Sequence, residues 1–292
     1  MKNTIIHIGY PKTASTWFQN NVFNNINTYS YVKREDVENL FIKPYGNNFN
    51  VSKTKKFLDD NYNKNLIISD ERLLGGMYSG GYNGFATTII VNRLKQVFPD
   101  AKIIIIIRNQ VDAIASAYYH YIMYGGTYNV NNFLFPKHYY IVQKLGMFSF
   151  EFYNYYNLIS MYKDMFTEVN VYLYEDFKAD NKSFVKKLID ENKLELDFNK
   201  LDYNLQNSRY RKGLINFKKF VNLFTKQQLI YKYYLVNLPY VYNVSIKLFE
   251  KLNKFSIFGN YVNSKKLLKQ KNIEYIKEYY KESNKKIKNY NY

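Results

Sequence analysis

The sequence predicts an α/β protein with three layers, in which helices flank a central four- or five-stranded parallel sheet and a helical extension follows at the C-terminus. Apolar runs rich in β-branched residues predict the strands, at Ile5–Ile8, Leu66–Ser69, Ala101–Ile107 and Val169–Phe177. Because the run Ala101–Ile107 is continuous rather than alternating, it is typical of a strand buried on both faces of a parallel sheet. Helical patterns separate the runs as far as Asp197, which indicates a single α/β unit.

The first strand leads into a tight loop and a helix start, and this order of elements suits the binding of an anion. Backbone N–H groups in the first turn of a helix have no intrahelical partner, and the helix dipole adds positive charge there. Small side chains at Thr13, Ala14 and Ser15 let the backbone approach a phosphate or sulfate. Hydroxyls on Thr13, Ser15 and Thr16 add donors, and Lys12 adds a full charge.

The spacing of this loop separates it from the ordinary P-loop of nucleotide triphosphatases. That motif puts its lysine six residues after the first glycine, whereas six residues after Gly9 stands Ser15, and Lys12 follows the glycine by three. The phosphosulfate-binding loop of sulfotransferases that use 3'-phosphoadenosine-5'-phosphosulfate (PAPS), usually PK(T/S)GTTW, is similar to the segment Pro11-Lys12-Thr13-Ala14-Ser15-Thr16-Trp17. Ala14 stands where glycine is commonest, and alanine is still small. An unliganded strand–loop–helix unit is the alternative for this motif taken alone.

A second segment strengthens the resemblance. The strand that ends at Ile107 is followed by Arg108 and then by a helical pattern in which Ser116 lies eight positions after the arginine. In the sulfotransferase family an Arg and a Ser at this spacing, in a pattern like R-[ND]-P-x-D-x-x-x-S-x-Y, hold the 3'-phosphate of the nucleotide. Gln110 replaces the usual proline, which removes a helix-favouring φ restraint but no ligand. Taken singly, Arg108 could be a surface ion-pair partner and Ser116 a helix-face hydroxyl.

Three weaker matches concern the nucleotide. Tyr174-Glu175-Asp176 resembles a family segment whose tyrosine contacts adenine, although Tyr174 suits a sheet-edge core position equally well. Trp17 matches a position that stacks on adenine, with packing beneath the first helix as the alternative. The segment Ser208–Gly213 resembles a loop that closes over the 3'-phosphate, which implies binding roles for Arg211, Lys212 and Gly213. In a chain this basic, however, an Arg-Lys pair carries little weight.

Sulfuryl transfer needs a base for the acceptor hydroxyl, and the residues after the second predicted strand offer one. Glu71 falls just past Leu66–Ser69, at the sheet edge where ligands bind in parallel sheets. Ser69-Asp70-Glu71-Arg72-Leu73 resembles the S-S-E-x-L pattern of bacterial and carbohydrate sulfotransferases, whose glutamate is the base. Asp70 is the competing candidate, and both carboxylates could instead be loop residues or a helix cap. The resemblance also gives Lys12 a catalytic role at the oxygen that bridges phosphorus and sulfur.

Metal chemistry is not expected. The chain has no cysteine and only three histidines, His7, His120 and His138, which excludes a Cys-based or His-rich zinc site. His7 sits among apolar residues of the first strand and is predicted to be packed. His120 matches a histidine often present at this place in the family, without an assigned proton-transfer role.

The C-terminal part differs from the rest in charge. Residues 214–292 carry 16 lysines against 4 glutamates, which is +12 of the net charge of +18. We expect residues 1–213 to form the PAPS-binding domain and residues 214–292 a Lys-rich helical extension packed on it, with helices over Asn216–Leu252, broken near Pro239, and over Ser264–Lys288. The N-terminal apolar run is too short for a secretory leader, and no run reaches the ~20 residues of a membrane span. The expected location is the cytoplasm, with peripheral contact to an anionic membrane face as a further expectation.

The resemblance, which covers residues 4–213, implies a P-loop-like fold and a sulfotransferase that uses PAPS as co-substrate, releases 3'-phosphoadenosine 5'-phosphate (PAP) and needs no metal. The expected acceptor is the hydroxyl of a carbohydrate or glycan, or of another small molecule, and no specific nucleic-acid partner is expected. Two alternatives stay open. One is a nucleotide-dependent kinase of related topology, and the other is a basic module that binds RNA or acidic glycans without catalysis.

Overall fold

A computed structural model describes residues 2–76, 84–135, 148–203, 210–226, 232–238 and 240–288. The central feature is a parallel sheet of five strands in the order β2-β3-β1-β4-β5. The strands are β1 Thr4–Gly9, β2 Tyr29–Tyr31, β3 Asn65–Ser69, β4 Lys102–Ile107 and β5 Val169–Leu173. The predicted fold class is therefore confirmed, with the larger of the two expected strand numbers.

Helices surround the sheet and connect its strands. Their bounds are α1 Ser15–Trp17, α2 Arg34–Val37, α3 Val51–Asn61, α4 Thr87–Val97, α5 Gln110–Met123, α6 Val130–Leu134, α7 Tyr155–Met165, α8 Tyr174–Ala179, α9 Asn181–Glu191, α10 Lys212–Asn222, α11 Val241–Leu252, α12 Gln270–Tyr279 and α13 Lys281–Lys288. A π turn, Phe18–Val22, and a 3-10 turn, Phe23–Asn25, continue α1.

The sheet separates two hydrophobic clusters, which explains the continuous apolar runs. Ile103 and Ile105 of β4 belong to the cluster on one face, whereas Ile104 and Ile106 belong to the cluster on the other. All four are completely buried. Because neighbouring side chains of a strand point to opposite faces, both sets must be apolar when helices cover both faces.

The register of β1 sets the place of the site. Ile5 pairs with Lys102 and Gly9 with Ile106, while Thr4 pairs with Leu66 on the other side. β1 thus lies between β3 and β4, and all three strands run in one direction. The loops after Gly9, Ser69 and Ile107 consequently leave the sheet at the same edge, where parallel α/β sheets bind their ligands.

The expectation of a buried strand over Val169–Phe177 is wrong in extent and in burial. β5 ends at Leu173, and the chain turns into α8 at Tyr174. Only Tyr172 of the strand is fully buried. The reason is position, because β5 pairs only with β4 and forms the outer edge of the sheet.

The C-terminal part is helical, as the sequence predicts, with different bounds. Two helices, α10 and α11, replace the expected region Asn216–Leu252, and the tail forms a 3-10 turn at Ser264–Leu267 before α12 and α13. These elements cover α5, which contacts α10, α12 and the 3-10 turn, while α13 contacts α7. The division of the chain at residue 213 stays a prediction.

Two polar contacts fasten this extension to the start of α5. Gln110 and Asn284 exchange side-chain hydrogen bonds of 2.7 and 3.2 Å, and Lys265 pairs with Asp112 at 2.9 Å. Gln110, which replaces a proline in the family pattern, thereby gains a structural role. Among the described residues, no helix is long and apolar enough to cross a membrane.

Candidate functional site

The loop after β1 is a tight turn held by its own backbone. The Thr13 amide donates to the Tyr10 carbonyl at 3.2 Å, and the Thr13 hydroxyl donates to the same oxygen at 2.6 Å. Lys12 and Ala14 have φ of 72° and 62°, in the left-handed region that non-glycine residues seldom adopt. Such strain persists only where the surrounding structure enforces it, and it is common at ligand-binding loops.

Gly9 is required by the close approach of this loop to the strand. A Cβ atom there would lie 2.3 Å from Ser15 Oγ and 2.9 Å from His7 Cε1. The helical run begins at Ser15, so the first-turn amides have no partner within the helix. The arrangement gives a compact ring of backbone donors that can face an anion.

Arg108 joins the end of β4 to this loop. Its Nη1 donates to the Lys12 carbonyl at 2.7 Å, and its guanidinium lies 4.9 Å from the centre of the Tyr174 ring. Its Nε is buried and has no hydrogen-bond partner among the described residues. Lys12, Arg108 and Tyr174, three predicted site residues from three parts of the chain, therefore lie close together at this edge of the sheet.

The start of α5 is built by residues that the sequence analysis passed over. The Asn109 side chain caps the helix by accepting from the Val111 amide at 3.1 Å, and the Asn109 amide donates to Glu175 Oε1 at 3.0 Å. Asn109 is not itself a candidate binding residue, but its hydrogen bonds fix the turn that joins Arg108 to the start of α5. Ser116 lies on α5 and is half-buried.

Trp17, directly after the loop, packs against other aromatic side chains. Its ring centre lies 4.9 Å from that of Phe177 and 6.0 Å from that of Tyr203, and its Nε1 donates to the Asp202 carbonyl at 2.8 Å. These contacts show that Trp17 packs in the fold. Its adenine contact stays a prediction, as does that of Tyr174, which is half-buried.

The predicted closing loop lies against the C-terminal extension. Arg211 Nε and Nη1 donate to the carbonyls of Asn253 and Gly259 at 3.0 and 2.7 Å, and its guanidinium lies 4.6 Å from the Tyr261 ring centre. The Lys212 amide donates to the Asn260 carbonyl, and Gly213 adjoins Phe258. No described contact joins Arg211 to Lys12 or Arg108, and Ser208 and Arg209 lie outside the described residues. A nucleotide-binding role for this loop stays a prediction.

Asp70 is a structural carboxylate. It is completely buried, and its Oδ1 accepts from the Arg72 amide at 2.8 Å, which caps the 3-10 turn Glu71–Leu74. The guanidinium groups of Arg72 and Arg34 approach its Oδ2 at 2.7 and 3.3 Å. With its oxygens engaged in this way, Asp70 holds the turn after β3 together.

Glu71 occupies a different environment one residue later. Its Oε1 accepts from Arg34 Nη2 at 3.0 Å, while its Oε2 is buried and has no hydrogen-bond partner among the described residues. The negative charge of Glu71 also reaches the loop after β1, where it favours a higher pKa of Lys12. Of the two neighbouring carboxylates, only Glu71 has an oxygen without a hydrogen-bond partner among the described residues.

The ammonium group of Lys12 is the electrostatic centre of the site. Although Lys12 as a residue is exposed, desolvation by the protein around its ammonium lowers its pKa from the ordinary lysine value. The negative charge of Glu71 opposes this decrease, and the positive charge of Arg108 adds to it. Bringing an anion next to Lys12 would restore the charged form, since opposite charges stabilise each other.

The described histidines are neutral. Burial, with a further contribution from the Lys12 charge, lowers the pKa of His120 to about 3. Burial also lowers the pKa of His7 to about 3, and its Nδ1 lies 2.7 Å from Ser69 Oγ. A ring so difficult to protonate is a poor base, and His7 is packed as predicted. His138 lies outside the described residues, among which no cluster of acidic residues and histidines could hold a metal ion.

Part of the chain matches the model of a known family, and two solved structures are similar to it. Residues 86–198 match the model of the "Sulfotransferase family". A sulfotransferase from Alicyclobacillus acidocaldarius has a similar structure, with 18% identity, 71% of this chain and 87% of that chain covered, and a TM-score of 0.51. Mouse sulfotransferase SULT7A1 complexed with PAP is matched at 15% identity over 97% of this chain and 84% of that chain, with a TM-score of 0.47. No curated protein matches the sequence.

These findings confirm the resemblance inferred from the motifs. The family match includes Arg108, Ser116 and Tyr174 but begins after the loop that contains Lys12 and after Glu71. The bacterial enzyme supports the fold. Individual roles of the site residues are not decided by either comparison.

The two carboxylates after β3 should differ in their effect on stability. We expect Asp70→Ala to lower the free energy of unfolding by ~3 kcal/mol, because it leaves two guanidinium groups without their buried partner. Glu71→Gln should cost less than about 1 kcal/mol, since the Arg34–Glu71 pair is partly exposed. Urea denaturation of both variants measures the difference, and equal losses would contradict the division of roles.

Proposed function

We propose that this chain transfers the sulfuryl group of PAPS to a hydroxyl of a carbohydrate acceptor. The match of residues 86–198 to the sulfotransferase family model and the fold shared with a bacterial sulfotransferase support this proposal. The observation that carries the proposal is the hydrogen bond of 2.7 Å from Arg108 Nη1 to the Lys12 carbonyl. It joins the two motifs that the family uses for the two ends of one nucleotide. A doubly phosphorylated adenosine needs positive groups at both ends, and this cleft supplies them.

In this proposal the loop after β1 holds the 5'-phosphosulfate. The tight backbone at Gly9 and the donors of Ala14–Thr16 suit that group, and Lys12 binds the oxygen that bridges phosphorus and sulfur. Thr13, whose amide and hydroxyl both donate to the Tyr10 carbonyl, holds the turn in shape. Arg108, whose Nε lacks a partner among the described residues, and Ser116 bind the 3'-phosphate. Trp17 and Tyr174 contact the adenine, and Arg211, Lys212 and Gly213 approach when the nucleotide is bound.

Glu71 is the proposed general base. It removes the proton from the acceptor hydroxyl as that oxygen forms a bond to sulfur, and the bond from sulfur to the bridging phosphate oxygen breaks. The electron pair of that bond leaves with PAP, where Lys12 stabilises the developing charge. Glu71 is favoured over Asp70 because Asp70 is held by two arginines, and over His120 because burial keeps its pKa so low.

The acceptor class rests on the position of the base. Ser69–Leu73 resembles the segment of carbohydrate sulfotransferases, in which a glutamate follows this strand. The cytosolic enzymes that act on small phenols carry a histidine in a K-T-H-L-P segment, which this sequence lacks. A carbohydrate hydroxyl is therefore the proposed acceptor.

We also propose that α11 contacts an anionic membrane surface. Val244 and Leu248 form an exposed apolar stripe at helical spacing, and the exposed Lys247 and Lys251 flank it. An apolar stripe beside lysines suits insertion among anionic lipid headgroups. A second copy of the chain is a poorer occupant, because residues 214–292 of both copies carry +12.

Nucleotide binding is tested by thermal stabilisation. We expect PAP at saturating concentration to raise the melting temperature of the wild-type protein, because a ligand that binds only the folded state stabilises it. ATP should have no such effect. Arg108→Ala should abolish the PAP shift, while Lys187→Ala, on the exposed face of α9, should retain it. Stabilisation by ATP but not by PAP would favour a kinase and contradict the proposal.

Catalysis is tested at Glu71. With radiolabelled PAPS and a panel of oligosaccharides, phenols and lipids, we expect label to enter an oligosaccharide. Glu71→Gln should decrease turnover by ~100-fold or more, because the amide cannot accept the proton. The PAP-induced shift in melting temperature should be unchanged. Undiminished turnover would exclude Glu71 as the base, and transfer of label only to phenols would exclude the proposed acceptor class.

Membrane contact is tested by flotation with vesicles. We expect the protein to bind vesicles that contain phosphatidylglycerol and not vesicles of phosphatidylcholine alone, with less binding at high salt. The double variant Val244→Ser/Leu248→Ser should lose binding, whereas the control Ile89→Ser, at another exposed apolar position, should retain it. Binding by the double variant equal to that of the wild type would contradict the assignment of this helix.

A further inference from the structure

The side chain of Arg34 contacts both carboxylates after β3. It is the first residue of α2, and its Nε lies 3.3 Å from Asp70 Oδ2, while its Nη2 lies 3.0 Å from Glu71 Oε1. The planar guanidinium presents donors in a fixed fork, so one side chain can bind two carboxylates at once. Through Arg34, Glu71 is linked to Asp70, which is completely buried.

We infer that Arg34 is a positioning residue for Glu71, an inference that rests on the proposed function. The two oxygens of Glu71 differ, because Oε1 is bound by Arg34 and Oε2 is buried without a partner among the described residues. Arg34 therefore restrains the carboxylate through one oxygen, while the other makes no hydrogen bond with the described residues. A base fixed in one rotamer loses less freedom in the transition state.

Arg72 supports this arrangement without taking part in it. Its guanidinium binds Asp70 Oδ2 and pairs with Glu38, and its Nη2 donates to the Arg34 carbonyl at 3.3 Å. The described contacts of Arg72 do not include Glu71. Arg72 thus binds Asp70 and the backbone of Arg34, and Arg34 in turn binds Glu71.

Arg34 stays positively charged in this environment. Burial acts to lower the pKa of Arg34, but the charges of Asp70 and Glu71 outweigh that effect and raise it above the ordinary arginine value. The other charged or titratable groups that act on Glu71 or share its surroundings are Lys12 from the loop after β1, Tyr31 from β2 and Asp70. Tyr31 is neutral, because burial, opposed by Arg34, raises its pKa to about 12.

Removal of the Arg34 charge has a predictable sign. A neighbouring cation favours the ionised carboxylate, so its loss raises the proton affinity of Glu71. The acid limb of kcat/KM, below which the base is protonated, should then move to higher pH. A purely structural role for Arg34 would change turnover at all pH values without moving that limb.

The test compares pH profiles of PAPS-dependent transfer to the oligosaccharide identified with the acceptor panel. We expect Arg34→Met to move the acid limb upward by ~0.5 pH unit and to decrease turnover ~10-fold at neutral pH, with the PAP-induced shift in melting temperature unchanged. Arg34→Lys should return the limb toward the wild-type position, because it keeps the charge, while turnover recovers only in part because the fork is lost. The matched control Lys43→Met removes a cation that pairs with Glu38 and should leave the profile unchanged.

A double variant separates this inference from the proposed function. In the Glu71→Gln background, Arg34→Met should cause no further decrease in turnover, because the group that it positions is absent. An unchanged acid limb in Arg34→Met, or a full further decrease in the double variant, would overturn the role of Arg34 while Glu71 stays the base. Full activity of Glu71→Gln alone would instead overturn the base assignment. If Arg34→Met gives no PAP-induced shift, the pH profile of Arg34→Lys is used instead. An acid limb of Arg34→Lys that is clearly displaced from that of the wild type would then contradict the inference.

Discussion

The hydrogen bond from Arg108 to the Lys12 carbonyl is the contact on which the site depends. It spans two loops that are 96 residues apart in the chain and that meet only because β1 and β4 are adjacent parallel strands. The register, with Gly9 opposite Ile106, brings both strand ends to the same level of the sheet edge. Without this register, the loop after β1 would be an isolated basic turn, and Arg108 would be an arginine at the surface.

Charge in the cleft is arranged unevenly. Arg108 lies close enough to Lys12 to lower the pKa of that lysine, and the charge of Glu71 acts in the opposite direction. Such an arrangement favours an anionic ligand, which relieves the repulsion between the two cations. The same edge carries a carboxylate with one free oxygen. A site of this kind can hold a polyanion and accept a proton beside it without a metal ligand set of its own.

The residues after 213 help to hold the start of α5 in place. Gln110 and Asp112, at the first turn of α5, are bound by Asn284 and Lys265. Arg211 is bound by the carbonyls of Asn253 and Gly259 and so faces the extension. Any approach of Arg211 to a bound nucleotide would require these hydrogen bonds to be exchanged, at a cost that the phosphate contacts must offset.

Local pattern determined most of the fold and the outline of the site. The buried runs at β1, β3 and β4, the tight loop at Lys12 and the carboxylate after β3 follow from short segments, because strand burial and helix starts depend on nearby residues. Only the tertiary structure could decide which of Asp70 and Glu71 is free, since the answer depends on Arg34, 36 residues away from Asp70. It also decided where β5 ends, because an edge strand needs no second apolar face. Pairings between distant side chains are set by how the elements pack, and a single sequence carries no periodic signal for them.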